Sequence, residues 1–134
     1  MGGQMPWVTG TTRIFGTIAN PADHVRAPMV FNPLFAERGL DHVMVPITAA
    51  PENLAAVIDG LRGIRNFGGM AVTIPHKMEL AAMCDTLGPT AQLTGAVNAV
   101  RFDPDGTLHG DNFDGAGFVA ALRLNGHDPA GMKV

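Results

Sequence analysis

Tyrosine is absent from this 134-residue chain, cysteine and tryptophan occur once each, and charged residues make up only 16%. The lone Cys84 excludes a disulfide within the chain and fits a reducing, cytoplasmic setting. It lies in an apolar helical stretch, where a cysteine behaves as a small core hydrophobe rather than a nucleophile. There is no run or stripe of basic residues, and the formal charge is −3, so nucleic acid is not an expected partner. No apolar run approaches the roughly 18 residues of a membrane span, and the N-terminus lacks the charged-then-apolar order of a signal peptide. Met1-Gly2 opens like a myristoylation signal, but Pro6 stands where Ser or Thr is required. No membrane partner is therefore expected.

What is present is a globular composition, with 46% hydrophobic residues in a length suited to one domain. Residues 1–10 read as a loose leader and 11–128 as an α/β domain. Residues 129–134 read as the start of a further domain, because Gly131-Met132-Lys133-Val134 looks like the opening of another strand. No internal repeat or low-complexity segment occurs.

The organising stretch is Gly69-Met70-Ala71-Val72-Thr73-Ile74-Pro75-His76-Lys77. Ala71 to Ile74 reads as a short strand covered on both faces, which Pro75 ends because it has no N–H to give. Pro75 then suits the first position of a helix that continues through Lys77 to Met83. Lys77 would thus stand in the first turn of a helix, at the carboxyl end of a strand, where open α/β sheets bind ligands. The positive end of the helix dipole would disfavour its charged form.

Earlier in the chain, Thr12 to Ile18 reads as a strand, Asn20 to Asp23 as a turn, and His24 to Pro28 as an extended segment. A helix follows from Met29 to Arg38, stopped by Gly39, with Pro33 predicting a kink or a late start. Val43 to Ile47 is a second strand, placed at a sheet edge by Pro46. Pro51 to Arg62 is a helix whose apolar face is Leu54, Val57, Ile58 and Leu61. Later, Leu87-Gly88-Pro89 breaks the chain before a short turn of helix around Ala91 to Leu93. Ala96 to Phe102 and Thr107 to Asp111 flank Asp103-Pro104-Asp105-Gly106 as a hairpin. Asp114 is expected to cap a last helix, Ala116 to Leu124. Alternating strands and helices imply a three-layer α/β fold, its sheet mostly parallel with one antiparallel hairpin strand.

Polar residues gather at predicted strand ends: Thr73, Lys77, Asn98, and Asp111, Asn112 and Asp114 of Gly110-Asp111-Asn112-Phe113-Asp114-Gly115. A lysine and an aspartate together can relay a proton at a hydroxyl carbon, and a hydroxyl and an amide can bind a polyhydroxylated small molecule. These motifs, with Gly95-Ala96-Val97-Asn98, the Asn20-Pro21 turn, His24 and Pro28, resemble the shikimate dehydrogenase family from about Phe15 to Leu124. The resemblance implies an N-terminal substrate-binding domain of a cytoplasmic NAD(P)-dependent oxidoreductase of shikimate metabolism and aromatic amino acid biosynthesis. It implies Lys77 and Asp114 as the catalytic pair, and Thr73 and Asn98 as substrate ligands. NADP or NAD would be bound mainly by the protein's own downstream Rossmann domain. A homodimer is compatible with it.

The chain departs from the family at four positions in the expected pocket. Val25 and Ala27 replace a Ser-x-Ser pair that grips the substrate carboxylate, Ala71 replaces an Asn, and Phe113 replaces a Thr. In an extended segment Val25 and Ala27 share a face and Arg26 points the other way. An altered substrate is therefore expected, a hydroxyl of a cyclic polyol or hydroxy acid, with Phe113 making the wall drier and fuller.

Three other readings compete. Gly115-Ala116-Gly117-Phe118-Val119-Ala120 fits a dinucleotide fingerprint, but the acidic residue expected about 20 positions on is absent and Asp114 would repel a pyrophosphate. His24, His76, His109, Asp111 and Asp114 lack metal-ligand spacing; the ordinary reading is packed or solvated side chains. A non-catalytic small-molecule binding module derived from this domain is the alternative to an enzyme. The eight methionines are dispersed and read as core filler.

Overall fold

A computed structural model describes residues 8–133. In order, the elements are β1 (Arg13–Ala19), α1 (Ala27–Glu37), β2 (His42–Thr48), α2 (Leu54–Arg62), β3 (Phe67–Val72), α3 (Lys77–Met83), β4 (Thr86–Leu87), α4 (Pro89–Thr94), β5 (Ala99–Phe102), β6 (Leu108–Asp111) and α5 (Asp114–Leu124). They build one six-stranded sheet in the order β2-β1-β3-β5-β6-β4. β1 is parallel to β2 and to β3, and β4 to β6, while β5 is antiparallel to both of its neighbours, β3 and β6. All strands but β5 thus share one direction, as expected of a mostly parallel sheet with one hairpin strand.

The pattern of side chains explains the layers. Leu54 and Ile58 of α2 are buried at 1% and 0% exposure, with Val57 and Leu61 packed beside them, so the predicted apolar face is the one used. Leu80 and Ala81 of α3 and Ala91 of α4 join Ile18, Met70, Val72, Val100, Phe102 and Leu108 of the strands in one core. Full burial of one such large aliphatic side chain stabilises by about 1.5–3 kcal/mol. β2 pairs only with β1, so Pro46 does lie on an edge strand. Asn32 of α1 donates from Nδ2 to the Met44 carbonyl at 2.9 Å and accepts the Met44 N–H at 2.7 Å, which fastens α1 to that edge. Gly69 lets β3 and β5 approach: a Cβ there would lie 2.5 Å from the Val100 carbonyl oxygen.

Several expectations are corrected. α1 begins at Ala27, with Arg26 already in helical geometry, so the segment before it is not extended up to Pro28. Proline is tolerated in the first turn because the N–H it lacks would have no intrahelical partner there. Pro33 sits inside α1 and does not delay its start. The central strand starts earlier and ends at Val72, while Ile74 is 71% exposed in a turn and Pro75 precedes the helix instead of opening it. Residues Pro51–Asn53 form a separate 3₁₀ turn before α2. The two-residue strand β4 has no sequence signal, being made by its pairing with β6. Met44 and Met70 are core, but Met29, Met78 and Met132 are exposed. The expected opening strand at the end is not formed by residues 131–133, and residues 1–7 and 134 lie outside the described residues.

Candidate active site

The carboxyl ends of β1 and β3, the start of α1 and the approach to α5 enclose a cavity of about 420 Å³. Thr73, Lys77, Asn98 and Asp114 all line it, together with Val25, Ala27 and Ala71. Residues spread over the chain from β1 to α5 are thus brought to one place by the sheet.

Each polar group arrives by a short structural route. Lys77 is the first residue of α3, and its carbonyl accepts the Val97 N–H at 3.0 Å, which ties the helix start to the segment before β5. Asn98 donates its N–H to the Asp111 carbonyl at 3.0 Å and accepts the Val72 N–H at 2.8 Å, so it is fixed between β3 and β6. Asp114 is held because the Asn112 side chain accepts its N–H at 3.0 Å. Phe113 is the N-cap of α5 and makes no side-chain cap bond, so Asp114 does not cap but faces the cavity as the first residue of the helix.

Lys77 Nζ donates to Asp114 Oδ2 at 2.5 Å, and Asn98 Nδ2 donates to Asp114 Oδ1 at 2.9 Å. Asn98 Oδ1 accepts the Phe113 N–H at 2.9 Å, which leaves its second amide hydrogen and one oxygen lone pair for a ligand. These bonds, the one from Lys77 foremost, hold the Asp114 carboxyl below its usual range. Both carboxylate oxygens thus have a donor in place. Lys77, at the start of α3, faces the Asp114 carboxylate at 2.5 Å.

Arg26 lines the cavity beside Val25 and Ala27, which overturns its placement on the opposite face. The alternation argument fails because α1 starts one residue later and the backbone there is helical, not extended. Arg26 remains exposed at the cavity mouth. Phe113 is also corrected: it is 56% exposed just before α5 and is not among the cavity-lining residues, so it fills no wall. Three lining residues carried no expectation of a site role, Thr17, Phe31 and Val72. Phe31 lies one helical turn after Ala27, a spacing of i, i+4 that could have placed it on the same side of α1.

His24 lines the cavity, exposed beside Val25, while the remaining candidates go elsewhere. His76 is fully buried, its Nε2 bonded to the Ala49 carbonyl at 2.8 Å, and His109 Nδ1 pairs with the Thr86 hydroxyl at 2.7 Å. Asp111 accepts the N–H groups of Asn112 and Ala91, which hold its carboxyl below the usual range and anchor α4. Gly88 makes that possible, since a Cβ there would lie 2.0 Å from the Asp111 carboxylate. Gly115 and Gly117 are inside α5, so the glycine-rich run forms no phosphate-cradling loop. Burial pushes the Cys84 thiol up to about 11, as suits a packed cysteine.

Comparison with known proteins shows the family. The family described as shikimate dehydrogenase substrate binding domain matches residues 17–100, which contain Thr73, Lys77 and Asn98. Shikimate dehydrogenase (NADP(+)) of Rubrobacter xylanophilus is 42% identical over 127 residues, 95% of this chain and 44% of the relative. A crystal structure of shikimate dehydrogenase in complex with NADP+ superimposes with a TM-score of 0.86 at 37% identity, over 92% of this chain and 42% of that one. Shikimate 5-dehydrogenase of Listeria monocytogenes, in complex with shikimate and NAD, gives 0.83 at 40% identity, over 90% and 41%. The chain thus spans less than half the length of these relatives. It belongs to the shikimate dehydrogenase substrate-binding domain family.

Proposed function

We propose that residues 11–128 are the substrate-binding half of an NADP- or NAD-dependent oxidoreductase acting on a hydroxyl of a cyclic polyol or hydroxy acid, with specificity altered from shikimate. The observation that carries the reading is the Lys77–Asp114 pair, 2.5 Å apart at the wall of a cavity of small-molecule size. The relatives' names and their greater length support a cofactor held largely by another part of the protein. A nicotinamide group, when bound, supplies the hydride acceptor. This chain's residues do the rest. Thr73, whose side chain has no hydrogen bond among the described residues, and the free amide hydrogen of Asn98 orient the ligand's hydroxyls. The reacting hydroxyl sits at Lys77 and Asp114, which take its proton on oxidation and return it on reduction. Asn98 keeps Asp114 aligned by the bond at 2.9 Å.

The supporting case for altered specificity is the cavity wall, where Val25, Ala27 and Ala71 present no hydrogen-bonding group. The test is a steady-state screen of the complete protein with NADP+ and NAD+ against ring hydroxy compounds with and without a carboxylate. Turnover that is lost in Lys77→Met supports the reading. Unchanged turnover in that variant removes it.

A further inference from the structure

We propose that Thr17 is a specificity-determining residue of this pocket, and that its hydroxyl takes an uncharged oxygen of the substrate. The inference rests on reading the cavity as the substrate site. Thr17 lies on β1, in register with Ala71 of β3 and Pro46 of β2, and is 3% exposed. Its Oγ1 is covered and has no hydrogen-bond partner among the described residues. Buried hydroxyls are nearly always paired, because an unpaired one forfeits its bonds to water. A valine would fill the same space, favours strands, and carries no such cost. Threonine is therefore a poor choice for packing alone.

Its position supplies a reason. Thr17 lines the cavity together with Val25, Ala27, Phe31, Ala71 and Val72. Among these six it is the one hydroxyl, Thr73 standing on the Lys77 side of the cavity past the end of β3. A rotation about χ1, between staggered wells, exchanges hydroxyl and methyl at the cavity surface. A carboxylate pressed against these six residues would find one hydroxyl, with His24 and Arg26 of the same lining exposed to solvent, which disfavours a charged group there. A single hydroxyl suffices for an alcohol, ketone or ester oxygen, since it can donate or accept. Neighbouring strands lie about 4.8 Å apart, so β1 and β5 are separated by roughly 10 Å. Asn98 directly precedes β5. A six-membered ring reaching the Lys77–Asp114–Asn98 cluster with its reacting hydroxyl would present its opposite substituent to Thr17.

The probes are shikimate and its methyl ester, which share a ring and differ in the charge of one substituent. With the complete enzyme and NADP+, the ester is expected to have the higher kcat/KM. Thr17→Val is expected to raise KM for the ester roughly three- to tenfold with kcat little changed, the effect of one neutral hydrogen bond. Thr17→Ser restores the KM. Thr17→Val also raises Tm, because it removes an unpaired buried hydroxyl, so loss of binding cannot be ascribed to damage to the fold. Preference for free shikimate, absence of turnover with the ester, or an unchanged KM in Thr17→Val would each overturn the proposal. Lys77→Met separates the two levels: if it abolishes ester turnover while Thr17→Val behaves as wild type, the site stands and the role of Thr17 falls.

Discussion

Lys77 and Asp114 lie 37 positions apart in the chain and 2.5 Å apart in space. The contact joins the first residue of α3 to the first residue of α5, across the hairpin that inserts β5 between β3 and β6. Neither residue needs a long side-chain network to hold it. Asn98 braces the aspartate from the side.

Removing either member should therefore strike turnover more than binding. In the complete enzyme, Lys77→Met and Asp114→Asn are expected to lower kcat by about 10²–10⁴-fold, the range of positioned proton transfer, with KM changed much less. Asn98→Ala should show a smaller loss, since Lys77 still bonds Asp114. Steady-state kinetics check all three. Near-normal turnover in both charge variants would remove the pair from the chemistry.

Acid sensitivity follows from the aspartates. The Leu108 N–H, then Arg62, hold the Asp85 carboxyl below its usual value of 3.8; Asn112 and Ala91 N–H groups do so for Asp111, and Lys77 for Asp114. A depressed folded-state pKa stabilises the fold above the unfolded value, and that stability is lost as pH falls through the folded value. Urea midpoints should therefore fall modestly below about pH 4, since these carboxylates are solvent-screened, and change little between pH 5 and 7 from these groups. Asp85→Asn should flatten the low-pH slope. A slope unaltered in that variant would mean that Asp85 has the same pKa folded and unfolded.

This chain is expected to bind neither NADP+ nor NAD+ tightly by itself. Its glycine-rich run, residues 115–120, is wound into α5, so its first N–H groups are not arranged as a loop around a pyrophosphate, and Asp114 opposes one. Calorimetric titration should find no micromolar site for either cofactor. A micromolar dissociation constant would show that the cofactor is held by residues of this domain.

Much of this was legible because local signals agreed. The Leu54–Leu61 face of α2, the Asp103–Gly106 hairpin turn, and the stop at Gly39, whose φ is 65°, were all read from sequence and used as read. The gathering of Thr73, Lys77, Asn98 and Asp114 at one cavity was legible too, since each stands beside the end of a strand or the start of a helix. What sequence could not show were decisions made by tertiary pairing. β4 exists because two residues can bond to β6, and Arg62 is held by Asp85, the Met83 carbonyl and the Gly106 carbonyl, all distant in sequence. α1 starts before Pro28 because the rule disfavouring helix before proline competes with proline's ease in a first turn, and the second wins. That single shift carried Arg26 into the wall of the cavity.

The same shift bears on shikimate itself. Two hydroxyls at positions 25 and 27 would each give a charged acid a bond worth about 1.5–3 kcal/mol. Val25 and Ala27 give none. Arg26 lines the cavity but is exposed at its mouth, and an exposed ion pair contributes about 0–1 kcal/mol, less in salt. The cation thus offsets only part of the loss, and shikimate should bind weaker by one to several powers of ten than in a pocket with both hydroxyls. Weak or undetectable oxidation of shikimate and quinate by the complete enzyme is the expected result. Val25→Ser combined with Ala27→Ser should lower KM for shikimate, and Phe113 does not stand in the way, because it lies outside the cavity lining. Arg26→Ala should change KM for shikimate by less than about tenfold, and that change should shrink as salt rises. Efficient shikimate turnover that collapses in Arg26→Ala would show instead that the arginine folds inward and holds the acid alone.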